Sequence, residues 1–432
     1  MKLTLLWTDI MVWILLSAII SWGWVVSRSG EVQKKWHTIF KSSIALASAI
    51  VLLFYLVFAL LDSVHFKFDN QSNMISLLDM AFEYRIKNKE RTYSAPFATQ
   101  EYTKDIFIDK DGLTKQIYRP LKFVHSGNFL FNSLKAISIG VLISLLFIWL
   151  HIYWRKKGEY KSEIPWHIGY ITFFILITSF SWLYIMSLDY HVLGTDKVGG
   201  DVLYQSLKSI RTGVLIGVLT TLVMLPMAIA LGVSAGFFRG WVDDIIQYIY
   251  TTLNSIPSVL LIAASVLLMQ VVMDNHPQWF ETTLERSDLR LLFLVIILGV
   301  TSWTGLCRLL RAETLKISQI EFVTAAKAFG VSRFAIIRRH IIPNLMHIIL
   351  ISVVLDFSGL VLAEAVLSYV GVGVDPTMYS WGNMINQARL EMAREPMVWW
   401  SLASSFIFMF ILVLSANLFS DRVQVVLDPR NE

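Results

Sequence analysis

Residues Glu321–Asn344 read EFVTAAKAFGVSRFAIIRRHIIPN, a polar, basic stretch set between two long apolar runs. Phe322, Ala326 and Phe329 fall at i, i+4 and i+7, the spacing of one helical face. Gly330 then interrupts the pattern where a left-handed cap costs little, since glycine has no Cβ to clash. Ser332 is placed to cap a second short helix, with Phe334, Ile337 and Ile341 on one side and Arg333, Arg338 and Arg339 nearby. Pro343 has no N–H to donate and is expected to end that helix before the next apolar run. The small side chains of Ala325 and Ala326 leave room for another protein's surface. The stretch reads as a helix–turn–helix shaped to dock.

The flanks of this stretch are apolar, and so is most of the chain. Of 432 residues, 55% are hydrophobic and 16% charged, in many separate runs long enough to cross a bilayer. These predict an all-α polytopic membrane protein with about nine transmembrane helices, near 9–26, 42–61, 131–153, 166–188, 212–235, 247–273, 291–310, 345–368 and 399–419. The first run has no clear small-x-small cleavage site before Arg28, so a retained span is expected rather than a signal peptide. Arg and Lys collect in the loops after the first, third and seventh runs, which places those loops in the cytoplasm, the N-terminus outside and the C-terminus inside. The net charge of +5 is thereby explained by membrane topology, and no nucleic-acid partner is expected. Cys307 is the only cysteine, which excludes an intrachain disulfide and a cysteine-based metal site.

One sizeable polar region, about 62–130, lies on the expected outer side. Alternating runs at Lys104–Ile108 and Leu113–Tyr118 flank Asp111-Gly112, a hairpin signal, so a small β-containing insert is expected there.

The 321–344 stretch resembles the coupling loop of ATP-binding-cassette (ABC) importer permeases, whose signature is E-A-A…G…P. Thr324 stands at the usual Glu, followed by Ala325, Ala326, Gly330 and Pro343, with Glu321 one turn earlier. From about 166 onward the chain is similar to the C-type permease of the oligopeptide/dipeptide/nickel importers. His191–Asp201, HVLGTDKVGGD, resembles that family's H-x-L-G-T-D-x-x-G-R-D, with Gly200 where Arg is usual. Gly240-Trp241-Val242-Asp243, Ile256-Pro257-Ser258 and Glu364–Pro376 (EAVLSYVGVGVDP) follow in the family's order. The resemblance implies a type I six-helix permease core over 166–432, with its cytoplasmic coupling loop at about 312–344. Residues 1–165, with three further spans and the insert, lie outside it. It also implies a second homologous permease subunit, two cytoplasmic ATP-binding subunits and an extracytoplasmic solute-binding protein, in a bacterial inner membrane. Gly194, Thr195, Asp196 and Asp201 would then lie near an outer gate.

No G-x-x-x-x-G-K-[ST] or H-E-x-x-H occurs, and no catalytic residues, cofactor or metal are expected in this chain. Asp196 and Asp201 could bind a cation through their oxygens, although Asp among glycines more often builds turns and helix caps. Asp356 and Glu364 fall inside an apolar run, where a carboxylate is costly unless it faces protein or water. They are candidates for lining a pathway, with an interior hydrogen bond the alternative for Glu364. Pro257 falls within the sixth run and would permit a kink. An ion-coupled secondary transporter and a non-transporting membrane scaffold are the competing functional classes.

Overall fold

The computed structural model describes residues 2–28, 30–67, 74–108, 114–124, 127–157, 163–280 and 282–427. The elements in order begin with β1 (Lys2–Thr4), α1 (Trp7–Arg28), α2 (Gly30–Phe40) and α3 (Ser43–Asp62). The insert follows as β2 (His65–Lys67), β3 (Met74–Ser76), α4 (Leu77–Ala81), α5 (Glu83–Lys87), β4 (Asp105–Ile108) and β5 (Thr114–Ile117). Then come α6 (Phe129–Lys157), α7 (Trp166–Asp189), α8 (Val202–Phe238), α9 (Trp241–Ser255), α10 (Ser258–Asn275), α11 (Thr283–Ser302) and α12 (Thr304–Ile317). The last elements are α13 (Glu321–Ala328), α14 (Arg333–Ile336), α15 (Ile342–Val370), α16 (Trp381–Glu391) and α17 (Trp400–Leu427).

Among the described residues, 8 helical stretches are long and apolar enough to cross a membrane, and a shorter apolar helix, Trp7–Ser21, stands at the first expected span. Several boundaries differ from the hydropathy reading for local reasons. α8 begins at Val202 rather than near 212, because its polar first turns are buried and Ser206 and Ser209 return their hydroxyls to the carbonyls of Val202 and Gln205. The sixth expected span is two helices rather than one kinked helix. Ile256 is extended and Pro257 (φ −55°, ψ 121°) precedes α10, so the chain leaves helical geometry there.

The chain divides into two compact units. The first comprises Met1–Leu5, Val26–Gly213 and Met378–Ser415. In it, α6 and α7 pack closely, Trp182 Nε1 donating to Ser133 Oγ at 2.7 Å and Ser181 Oγ to the Ala136 carbonyl at 3.2 Å. Phe58 of α3 meets Phe180 of α7 edge-on at 4.9 Å between ring centroids. Within the insert, β4 and β5 pair antiparallel from Asp105↔Ile117 to Ile108↔Thr114. The Asp111-Gly112 turn signal itself lies outside the described residues. A second antiparallel sheet, in the order β1-β2-β3, pairs the N-terminal strand with the two strands that open the insert.

The second unit comprises Leu6–Val25, Val214–Thr377 and Ala416–Glu432. Its core joins Met224 and Ala228 of α8, Leu306, Cys307 and Leu310 of α12, and Leu345 and Ile349 of α15. Val323, Ile336 and Ile341 belong to the same buried cluster. This fixes one side of the 321–344 stretch to the helices behind it.

Candidate functional site

The 321–344 stretch is a helical hairpin whose turn is set by Gly330. α13 ends in a Schellman arrangement: the Val331 N–H donates to the Ala326 carbonyl and the Gly330 N–H to the Lys327 carbonyl, both at 3.1 Å. Gly330 takes φ +75°, the left-handed region that only glycine enters cheaply. Ser332 caps α14, its hydroxyl accepting the Ala335 N–H at 3.4 Å.

Beyond this, one expectation fails. Pro343 does not end the second helix. A π-helical turn at Ile337–Ile341 links α14 to α15, and Pro343 lies in the first turn of α15, where its missing donor is tolerated. The residues at helical spacing do not form the buried side. Val323 is buried instead, with Ala326 packed beside it, while Phe329 is 88% and Phe334 74% exposed and Phe322 is 43% exposed. Glu321 and Ala325 are exposed, and the Thr324 hydroxyl donates to the Glu321 carbonyl of its own helix at 2.9 Å.

Cations brace the hairpin from behind. Lys327 Nζ stands 5.0 Å from the Phe237 ring centroid, and the Arg333 guanidinium 6.0 Å from that of Phe238. Alongside, Arg311 of α12 donates to both Asp243 oxygens of α9, at 2.5 and 2.7 Å. The Arg311 hydrogen bonds hold the Asp243 carboxyl below the usual carboxylate range. Asp243→Asn is expected to cost about 1–3 kcal/mol of stability at neutral pH, because it unpairs a charge-assisted bidentate contact. A depressed folded pKa gives stability that is present above the unfolded value of about 3.9 and disappears as pH falls through the folded value. Thermal unfolding of wild type and variant in detergent should therefore differ by a constant amount from pH 7 to about 5 and converge below about 4.

The loop between α7 and α8 holds the second group of expected site residues. Asp196 accepts N–H groups from Val198 at 2.9 Å and Gly200 at 2.7 Å, and Nε2 of Gln205 at 2.7 Å. Asp201 accepts the Tyr204 N–H at 3.1 Å and lies 2.8 Å from His191 Nδ1. Both carboxylates are thus engaged in turn-building and capping. Gly194 (φ +73°) turns the chain, and the Thr195 carbonyl accepts Trp400 Nε1 at 2.9 Å. The structure adds two residues that no local pattern marks, Arg85 and Glu90 of the insert, both buried beside His191.

On α15 the two acids differ. Glu364 is buried and accepts the Ser368 hydroxyl at 2.7 Å, and Ser368 Oγ in turn accepts the Val374 N–H at 3.3 Å. Asp356 is half-buried, and among the described residues no hydrogen bond or ion pair reaches it.

Many helices long and apolar enough to cross a membrane, with one helical hairpin anchored in the core of the second unit, define a polytopic membrane protein. The chain belongs to the inner membrane components of binding-protein-dependent transport systems, and residues 228–432 match that family. It is 31% identical over 239 residues to the oligopeptide transport system permease protein OppC of Mycobacterium tuberculosis, covering 55% of this chain and 76% of that one. The glutathione transport system permease protein GsiD of Pectobacterium atrosepticum is 31% identical over 242 residues, covering 56% and 73%. The dipeptide transport system permease protein DppC of Bacillus subtilis is 28% identical over 240 residues, covering 56% and 69%. Among solved structures, inward-facing conformations of the MetNI methionine ABC transporter overlap 52% of this chain and 97% of that one at 16% identity, with a TM-score of 0.41, too low to bear on geometry.

Proposed function

We propose that this chain is the transmembrane subunit of an ABC importer that moves peptides or related small solutes into the cytoplasm by alternating access. The family and its peptide-transporting relatives support the substrate class. A second, homologous permease completes the route, because a hydrophilic solute must be enclosed away from lipid by protein on all sides. An extracytoplasmic solute-binding protein delivers the solute near the 190–201 loop. The N-terminus lies outside and the C-terminus inside, as the loop cations suggest. Hydrolysis belongs to two cytoplasmic ATPase subunits, and this chain carries no catalysis of its own.

The observation that carries the reading is the hairpin's two-sidedness. Val323, Ile336 and Ile341 are buried in the core, whereas Phe329 and Phe334 stand exposed at the tip. A large apolar side chain offered to water on a rigid base is the chemistry of a docking knob. The ATPase subunit receives that knob, Glu321, Thr324, Ala325 and Ala326 line its approach, and Gly330 and Pro343 shape the hairpin that transmits the push. ATP shifts the balance of inward- and outward-open states only through contacts that differ between them, and the hairpin is where those contacts are made.

Phe329→Asp with Phe334→Asp tests this directly. Both positions are exposed, so the permease should fold and reach the membrane normally, while the ATPase subunits no longer co-purify and ATP-driven uptake is lost. Undiminished co-purification would overturn the assignment. Uptake that persists in ATP-depleted vesicles would instead favour an ion-coupled transporter.

A further inference from the structure

The 190–201 loop is not bare, because a segment of the chain's own insert lies across it. Three main-chain hydrogen bonds join them: Phe97 N–H to the His191 carbonyl (3.0 Å), Thr195 N–H to that of Ser94 (3.1 Å) and Glu90 N–H to that of Gly199 (3.2 Å). The Thr195 hydroxyl donates to the Thr92 carbonyl at 2.9 Å and accepts the Ser94 N–H at 2.6 Å. Approach is so close at Gly199 that a Cβ there would overlap the Glu90 backbone. Phe97 is held at φ +57°, strained for a bulky side chain, a conformation that persists only where its surroundings dictate it.

Charge is buried in the same contact. Arg85 donates to the Ser187 carbonyl and, at 3.3 Å, to that of Phe123, and its Nη1 lies 3.4 Å from His191 Nε2. His191 reaches Asp201 on its other side, and Glu90 accepts the Lys122 and Phe123 N–H groups at 3.1 and 2.7 Å. Arg85, Glu90, His191 and Asp201 are 2%, 7%, 0% and 3% exposed. The insert also grips the start of α17. Tyr102 donates to the Met397 carbonyl at 3.0 Å, and its ring and that of Tyr93 lie edge-on to Trp400, whose indole holds Thr195.

A segment meant to open would carry few buried contacts and exposed backbone bonds. This one would have to unpair buried charges, each costly to leave without a partner. We propose that the insert is a permanent staple, which ties the outer ends of α7, α8 and α17 into one body that stays closed throughout the transport cycle, with Arg85 and Glu90 as its positioning residues. The role in a cycle rests on the importer reading above.

The test is a Ser94→Cys/Thr195→Cys pair, whose hydroxyls are 3.2 Å apart in the native chain, in the assembled transporter in proteoliposomes. The chain's one native thiol, Cys307, is buried, and wild-type transporter given the same oxidant or maleimide controls for thiols of the partner subunits. Oxidation to the disulfide is expected to leave ATP-driven transport unchanged from the reduced form. Transport lost on oxidation and restored by a reductant would overturn the staple. Should the pair impair folding or fail to cross-link, Val192→Cys decides independently, since Val192 is 1% exposed beneath the clasp. It should resist a membrane-impermeant maleimide both at rest and during ATP turnover. Labelling during turnover as fast as that of Val198→Cys, at the 57% exposed Val198, would again overturn the proposal. Thiol labelling at rest does not depend on transport. A Val192→Cys protein that stays protected, in a transporter whose wild type never transports, would therefore fault the importer reading and leave the closed clasp standing.

Discussion

Gly330→Val is expected to uncouple ATP hydrolysis from transport, and Gly330→Asn to leave most coupling intact. Nothing lies within 4 Å of the place a Cβ would occupy on Gly330, so neither change creates a clash. What differs is the backbone. Gly330 sits at φ +75°, where a non-glycine residue costs roughly 1–2 kcal/mol, asparagine least and β-branched side chains most. That is enough to change the population of the native turn by a factor of about 5–30. The exposed Phe329 and Phe334 lie on either side of this residue, so a relaxed turn re-aims one against the other while the buried anchors hold. ATPase subunits should still bind in part and hydrolyse ATP at a basal rate, with far less solute moved per ATP. The measurement is that ratio in proteoliposomes for the three proteins. Valine and asparagine variants that behave alike would show that the turn's conformation does not carry the coupling.

The features of this hairpin that were readable in sequence are those decided within a few residues. A glycine after a helical run and a serine before the next specify a C-cap and an N-cap by local hydrogen bonding alone, and both form as expected. The choice of buried face is not local. Phe322, Ala326 and Phe329 have helical spacing, but so do Val323 and its neighbours, and the apolar packing behind the hairpin selects the smaller β-branched residue. The aromatic residues are left outside, where the proposed ATPase subunit would cover them. Pro343 misled for a related reason: a π turn just before it removes the conflict that would otherwise stop the helix. The insert's hold on the 190–201 loop joins Arg85 to His191 across 106 positions, and single-sequence patterns carry no information at that range. The two halves of the contact were each visible, as a polar insert and as a loop of turn-forming residues, without anything to pair them.

Asp356→Asn and Glu364→Gln, eight positions apart on one helix, are expected to separate transport from architecture. Glu364 is buried, and the Ser368 hydroxyl that it accepts also receives the Val374 N–H, so the carboxylate organises the end of α15. Glutamine keeps an oxygen for Ser368, and Glu364→Gln should therefore transport nearly normally, whereas Glu364→Ala should reduce the yield of folded protein. Asp356 has no such protein partner among the described residues, although it is half-buried within a spanning helix. A carboxylate at that depth costs several kcal/mol unless protein, water or a solute meets it, and we propose that a hydrated route does so. Asn preserves the volume and removes the charge. Transport should fall on the order of tenfold, equivalent to about 1.4 kcal/mol in the rate-limiting step, while yield, melting temperature and co-purification of partners stay at wild-type levels. Normal transport by Asp356→Asn would remove it from the pathway. Loss of the folded complex would show that its charge is met by the protein after all, and would place Asp356 beside Glu364 as a structural acid.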